Sequence, residues 1–104
     1  MDTDTAANRL EALGNATRLS VYRLLVKAGE QGLVVGDLRR ALDIPPSTLS
    51  HHLAHLVRAG LVIQERNGRE LVCRADYGVM DSLLGFLTDE CCAGGTCAIT
   101  KTGC

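Results

Sequence analysis

Apolar residues recur at helical spacing from the first turns of the chain. In AANRLEALGN, Ala6, Leu10 and Leu13 fall along one side of a helix that Gly14 stops. Asn15 then serves as N-cap to a second helix, ATRLSVYRLLVKAG, which Gly29 terminates. Leu19, Leu24 and Leu25 are expected to face the core. EQGLVV is short and β-branched, so it reads as a turn and a brief strand. A third helix over about VGDLRRAL runs into Asp43-Ile44-Pro45-Pro46, a rigid turn whose second proline suits the first turn of the next helix.

That fourth helix, PPSTLSHHLAHLVRAG, is the most legible segment. At about 100° per residue, Leu49, Leu53 and Leu56 share one face with Val57 beside it. Ser47, His51, Ala54 and Arg58 fall opposite; Thr48, Ser50 and His55 lie on the flanks. Gly60 ends the helix. Two strand-like runs, LVIQER and RELVCRA, then flank Asn67-Gly68, the pattern of a type I′ hairpin, with Arg66 and Arg69 beside its tip. On the second strand Cys73 shares a face with Leu71. DYGVMDSLLGFLTDE predicts a last helix with Met80, Leu83, Leu84 and Leu87 on one stripe, either core or dimer face. The remainder, residues 91–104, turns to Cys, Gly and Thr, and regular structure is not expected there. The chain therefore divides into a folded domain over residues 1–90 and a Cys-rich flexible tail over 91–104.

Composition narrows the class. A length of 104 residues suits one domain with one core, and with 3% aromatics and no Trp that core must be aliphatic. No apolar run approaches the roughly 18 residues of a membrane span. The acidic N-terminus lacks the pattern of a signal peptide, so a cytoplasmic protein without membrane association is expected. The net charge of −1 hides a gradient: residues 35–75 hold six Arg against four acids and all three His, while 76–104 hold four acids and one Lys. A locally basic middle is enough for phosphate contact.

The order helix, helix, helix, Pro-turn, polar-faced helix, hairpin, helix is that of a winged helix-turn-helix, mainly α with a β-hairpin. Its recognition helix lies in the DNA major groove. Ser47, Thr48, Ser50 and His51 can meet base edges and phosphates there, and Arg66 and Arg69 can reach phosphates or the minor groove. One such domain presents one recognition helix, so two half-sites require a two-fold dimer. His51 and His55, four apart, could chelate a metal, but they sit on the proposed groove face; His51 is assigned to DNA, and His52 and His55 to structural or solvated roles.

NATRLSVYRLL, GDLRRALDIPPSTLSHHLAHLVRAGLVIQERNGRELVCRA and the closing apolar helix resemble the ArsR/SmtB winged-helix repressors over roughly residues 6–90. The resemblance implies a homodimer built from the first and last helices, bound to double-stranded operator DNA and released by an inducer. It also implies that the protein is no enzyme. Many members bind a metalloid through Cys-x-Cys on the third helix, and others bind zinc through His, Asp and Glu on the last. LVVGDL here has no Cys, and the last helix no His. Either the chain senses no metal or its site has moved.

The tail TDECCAGGTCAITKTGC points to a moved site, since it carries four of the five cysteines. Thiolates select soft ions. Cys91, Cys92 and Cys97 are the expected ligands of As(III) or Sb(III), with AGGT permitting Cys97 to fold back. This resembles the arsenic-responsive branch that carries a Cys-Cys pair and a later Cys after the last helix. Cys73 is an alternative third ligand, and a two-thiol or Cys73-completed site would suit methylarsenite. Zn or Cd, with Cys104 completing a Cys₄ set, a thiol-based redox switch, and an inert tail are the rival readings. A thiol enzyme is disfavoured because the cluster follows a helix C-terminus behind Asp89 and Glu90, which opposes thiolate formation.

Overall fold

The computed structural model describes residues 1–95. Five helices and three short strands follow one another as α1 (Thr3–Leu13), α2 (Ala16–Ala28), β1 (Leu33–Val34), α3 (Val35–Leu42), α4 (Pro46–Arg58), β2 (Val62–Asn67), β3 (Glu70–Ala75) and α5 (Tyr77–Thr88). This is the winged helix-turn-helix order read from the pattern. Three helices start on side-chain caps that occupy otherwise unpaired backbone N–H groups. Asp2 accepts from Thr5 at 2.7 Å, Asn15 from Arg18 at 3.0 Å and Asp76 from Val79 at 3.1 Å. α4 instead opens on Pro46 at its first turn, where the missing N–H costs nothing.

The core is aliphatic. Leu25, Leu38, Leu49, Leu56 and Leu61 are fully buried, with Val21 and Leu53 beside them, each large side chain contributing roughly 1.5–3 kcal/mol on burial. α2 faces this core through Arg18, Val21, Tyr22 and Leu25. Leu19, expected to face inward, is 42% exposed, and Leu24 is only partly buried. The inward face of α2 is centred on residues 18, 21, 22 and 25, and one step of 100° from Arg18 carries Leu19 onto the groove that α2 forms with Leu13 and α5.

The sheet has three strands in the order β1-β3-β2, all antiparallel. The brief strand of EQGLVV thus completes the hairpin as an edge on β3, pairing Leu33 with Cys73 and Val34 with Val72. Gly32 makes this approach possible: its φ is +71°, and a Cβ there would collide with the Cys73 carbonyl oxygen. The hairpin turn sits one residue later than expected. Asn67 pairs with Glu70, so Gly68 and Arg69 form the two-residue loop, and of these only Gly68 has positive φ. A glycine at the first central position is the type II′ pattern, whereas type I′ needs φ > 0 at both.

Helix α5 splits its apolar stripe. Leu83 is buried and Met80 packs against the core, while Leu84 and Leu87 are more than half exposed. The α5 N-terminus is anchored by the Tyr77 hydroxyl, which donates toward the Val26 carbonyl at 2.7 Å and lies 3.2 Å from that of Leu25. No helix among the described residues is long and apolar enough to cross a membrane.

Candidate functional site

Ser47, Thr48, Ser50 and His51 are all exposed on α4, on the side away from Leu49, Leu53 and Leu56. Apolar docking on one side and short polar groups on the other is what a groove-reading helix requires. Val57, placed beside the apolar face, is at the edge of exposure. Arg66, at the tip end of β2, and Arg69, within the turn, are both exposed, and neither forms an ion pair with an acid among the described residues. Arg74, further down β3, is instead neutralised by Glu65 across the hairpin. The unneutralised charge of the wing is therefore at its tip, where phosphates would be met.

The three histidines separate. His51 is solvent-facing. His52 is partly buried, and its Nδ1 has no hydrogen-bond partner among the described residues. Burial pulls its pKa below the ordinary 6.5, and the neighbouring Arg18, His51 and His55 push the same way. His55 Nε2 lies 2.9 Å from Glu11 Oε1 on α1, so its ring is engaged within the protein. His51 and His55 do not converge on a third donor, and no group of three His, Cys, Asp or Glu that could hold a metal exists among the described residues.

The thiols divide likewise. Cys73 is fully buried at the centre of the sheet, opposite Leu33 on one side and Gln64 on the other, and accepts from Gln64 Nε2 at 3.5 Å. Burial pushes its thiol pKa up, against the weaker effect of the Gln64 hydrogen bond. It has the environment of a small core residue, not of an open ligand. Cys91 and Cys92 are half-exposed just past α5, as thiols whose sulfurs lie 3.5 Å apart in hydrogen-bond contact. The segment that carries them is folded into turns: Cys91, Ala93 and Gly95 donate from their backbone N–H to the carbonyls of Thr88, Glu90 and Cys92. Glu90 and Cys92 take the left-handed conformation, at φ 58° and 64°. Desolvation raises the Cys91 thiol pKa, and the hydrogen bond with Cys92 adds to the rise. A thiophilic ion must displace those protons on binding. Cys97 and Cys104 lie outside the described residues.

Some polar contacts had no signal in the sequence. Arg18 is buried, and its Nε donates to the Ala12 carbonyl at the end of α1 at 2.7 Å. Arg9 donates from Nε to the Ala59 carbonyl at the end of α4, 50 residues away. Local spacing cannot announce a pair 50 residues apart.

A family model described as a helix-turn-helix domain matches residues 13–65. The chain is 42% identical over 60 residues to a putative arsenical resistance operon repressor of Halobacterium salinarum, covering 58% of this chain and 46% of that protein. It is 34% identical over 84 residues to the HTH-type transcriptional regulator NmtR of Mycobacterium tuberculosis, covering 81% of this chain and 64% of the relative. The chain thus spans about half of the first relative's length and less than two thirds of the second's. Among solved structures, a homodimeric winged helix-turn-helix DNA-binding domain from Mycobacterium bovis, described as a possible ArsR-family transcriptional regulator, superposes with a TM-score of 0.65 at 30% identity, covering 84% of this chain and 81% of that one.

Proposed function

The chain belongs to the ArsR family of winged helix-turn-helix regulators, and from that premise we propose that it is a cytoplasmic, metalloid-responsive transcriptional repressor. As a homodimer it binds double-stranded operator DNA through Ser47, Thr48, Ser50 and His51 in the major groove and Arg66 and Arg69 at the wing. It lets go when inorganic As(III) or Sb(III) is taken by Cys91 and Cys92 with Cys97 as third ligand, or when a methylated arsenical, with one bond already spent on carbon, is taken by two thiols. The observation that carries this reading is the pair of thiols 3.5 Å apart immediately after α5. Adjacent soft donors held in a turn supply two of the three bonds that a trivalent thiophilic ion makes, and the chain past Gly95 supplies the next Cys. The burial of Cys73 favours Cys97 over it as the third ligand. The arsenical-resistance repressor among the relatives agrees with the choice of ion.

The inducer works only by binding the DNA-free conformation more tightly than the DNA-bound one. A tenfold loss of operator affinity asks for about 1.4 kcal/mol of such coupling. The test is release of operator by arsenite, methylarsenite, zinc and peroxide, repeated with Cys73→Ser, Cys91→Ser, Cys92→Ser and Cys97→Ser. Release by the arsenicals and its loss with Cys91→Ser or Cys92→Ser are expected, with Cys73→Ser responding as the unaltered chain does. Release that survives loss of both Cys91 and Cys92 would reject the site; release by peroxide alone would make the protein a redox repressor, and by zinc alone a zinc- or cadmium-responsive one.

A further inference from the structure

Helix α1 has two working sides. One carries Leu10, a large apolar side chain left 41% exposed, which the proposed dimer would cover. The other touches the C-terminal turn of the recognition helix α4. There Arg9 Nε donates to the Ala59 carbonyl at 3.0 Å, satisfying a backbone acceptor that the end of a helix leaves unpaired. Two residues on, Glu11 Oε1 meets His55 Nε2 at 2.9 Å, while its other oxygen lies 3.6 Å from Arg18 Nη2 on α2. His55 and Ala59 are one helical turn apart, so α1 grips α4 at two successive points. The fully buried residues of α1 are Ala6 and Ala12, and Leu13 at its end packs partly buried against the core. Two alanines bury little surface, at about 0.8 kcal/mol per methylene-sized group. Beside that packing, two polar contacts, one part-buried and one exposed, tie α1 directly to the end of α4.

We propose that Arg9 and Glu11 on α1 and His55 on α4 are positioning residues that fix the recognition helix against the dimer helix, and so set the spacing of the two recognition helices on DNA. This rests on the repressor reading above. A clamp of one part-buried and one exposed hydrogen bond is worth little in isolation, which lets it shift without unfolding the core. Its effect is geometric: it acts on a duplex that must be met by both recognition helices at once, and not on a duplex met by one.

The full-length chain is used to select a two-half-site duplex from a random-sequence pool. Affinity is then measured for that duplex and for the same duplex cut to one half-site, together with thermal midpoint and sedimentation. The Arg9→Gln/Glu11→Gln double variant is expected to stay folded and dimeric and to lose about tenfold, or about 1.4 kcal/mol, on the two-half-site duplex, with less than a twofold change on the single half-site. His55→Gln, altered from the α4 side, should show the same asymmetry and serves if the double variant does not fold. Equal losses on both duplexes would mean that these side chains touch DNA or serve stability alone, and no loss on either would remove the clamp; both outcomes overturn the proposal while leaving the repressor intact. A wild-type chain that selects no duplex would sink the repressor reading itself.

Discussion

A single imidazole shows how burial sets chemistry in this domain. His52 sits on the border of the apolar face of α4, with Nδ1 buried and without a hydrogen-bond partner among the described residues, and faces Arg18 from α2 and His51 and His55 from its own helix. Desolvation and three like-signed neighbours all favour the neutral ring, so its pKa in the folded chain lies below 6.5. In the unfolded chain it returns to about 6.5. Above that value neither state holds the proton and His52 contributes its full share to stability. As pH falls below 6.5 the unfolded chain binds a proton that the native one refuses, and stability is lost until the native ring is protonated too. Urea midpoints measured from pH 7.5 to 5 should fall with pH in the wild type and fall less steeply in His52→Leu. Identical slopes would show that His52 titrates freely and that its burial is misassigned. The same residue-level logic separates Cys73, sealed in the sheet, from Cys91 and Cys92, which remain reachable.

The elements themselves were mostly legible, because each was announced by a local rule. The α4 boundary follows from Pro45-Pro46 and Gly60, and its two faces from the 49/53/56 spacing. α3 begins and ends where VGDLRRAL does. What local rules could not supply was the partner of each element. Leu19 looked apolar enough for the core, but the packing of α2 on α3 and α4 turned it outward. The hairpin turn shifted by one residue because Gly68 accepts the first central position and Arg69 needs no positive φ there. The α1–α4 contacts join residues more than 40 apart, and nothing near either end encodes them. The β1–β3 edge is the sharpest case: Gly32 reads as one more turn glycine, yet its missing side chain is what admits the Cys73 carbonyl. Gly32→Ala should therefore destabilise by at least about 2 kcal/mol, since it combines strain at φ +71° with a backbone collision. Gly68→Ala, at φ +65° with nothing within 4 Å, should suffer the strain without the collision and cost about 1 kcal/mol. Denaturant titration of the two variants compares them, and equal costs would mean that β1 gives way without penalty.

For the whole molecule, the decisive quantity is how many recognition helices reach DNA together. One copy presents one α4, and two half-sites a helical turn apart, about 34 Å, need a two-fold partner. The described surface offers large apolar side chains for that partner: Leu10 on α1, Leu19 on α2, and Leu84 and Leu87 on α5 are each exposed by two fifths or more. Neither Leu84 nor Leu87 belongs to the core, so the double variant Leu84→Glu/Leu87→Glu should keep its helix content and thermal transition while sedimenting as a monomer, because each interface would bury four unpaired carboxylates. Joining two half-site readers raises overall affinity by roughly 10²–10⁴. The variant should accordingly bind a two-half-site duplex at least about a hundredfold more weakly than wild type, and a single half-site almost equally well. The thiols follow directly on α5, so an ion taken by Cys91 and Cys92 in the proposed reading would sit at the end of a helix that the proposed interface uses. A variant that remained dimeric and kept its hold on the two-half-site duplex would place the dimer elsewhere and detach the thiol pair from the geometry of DNA binding.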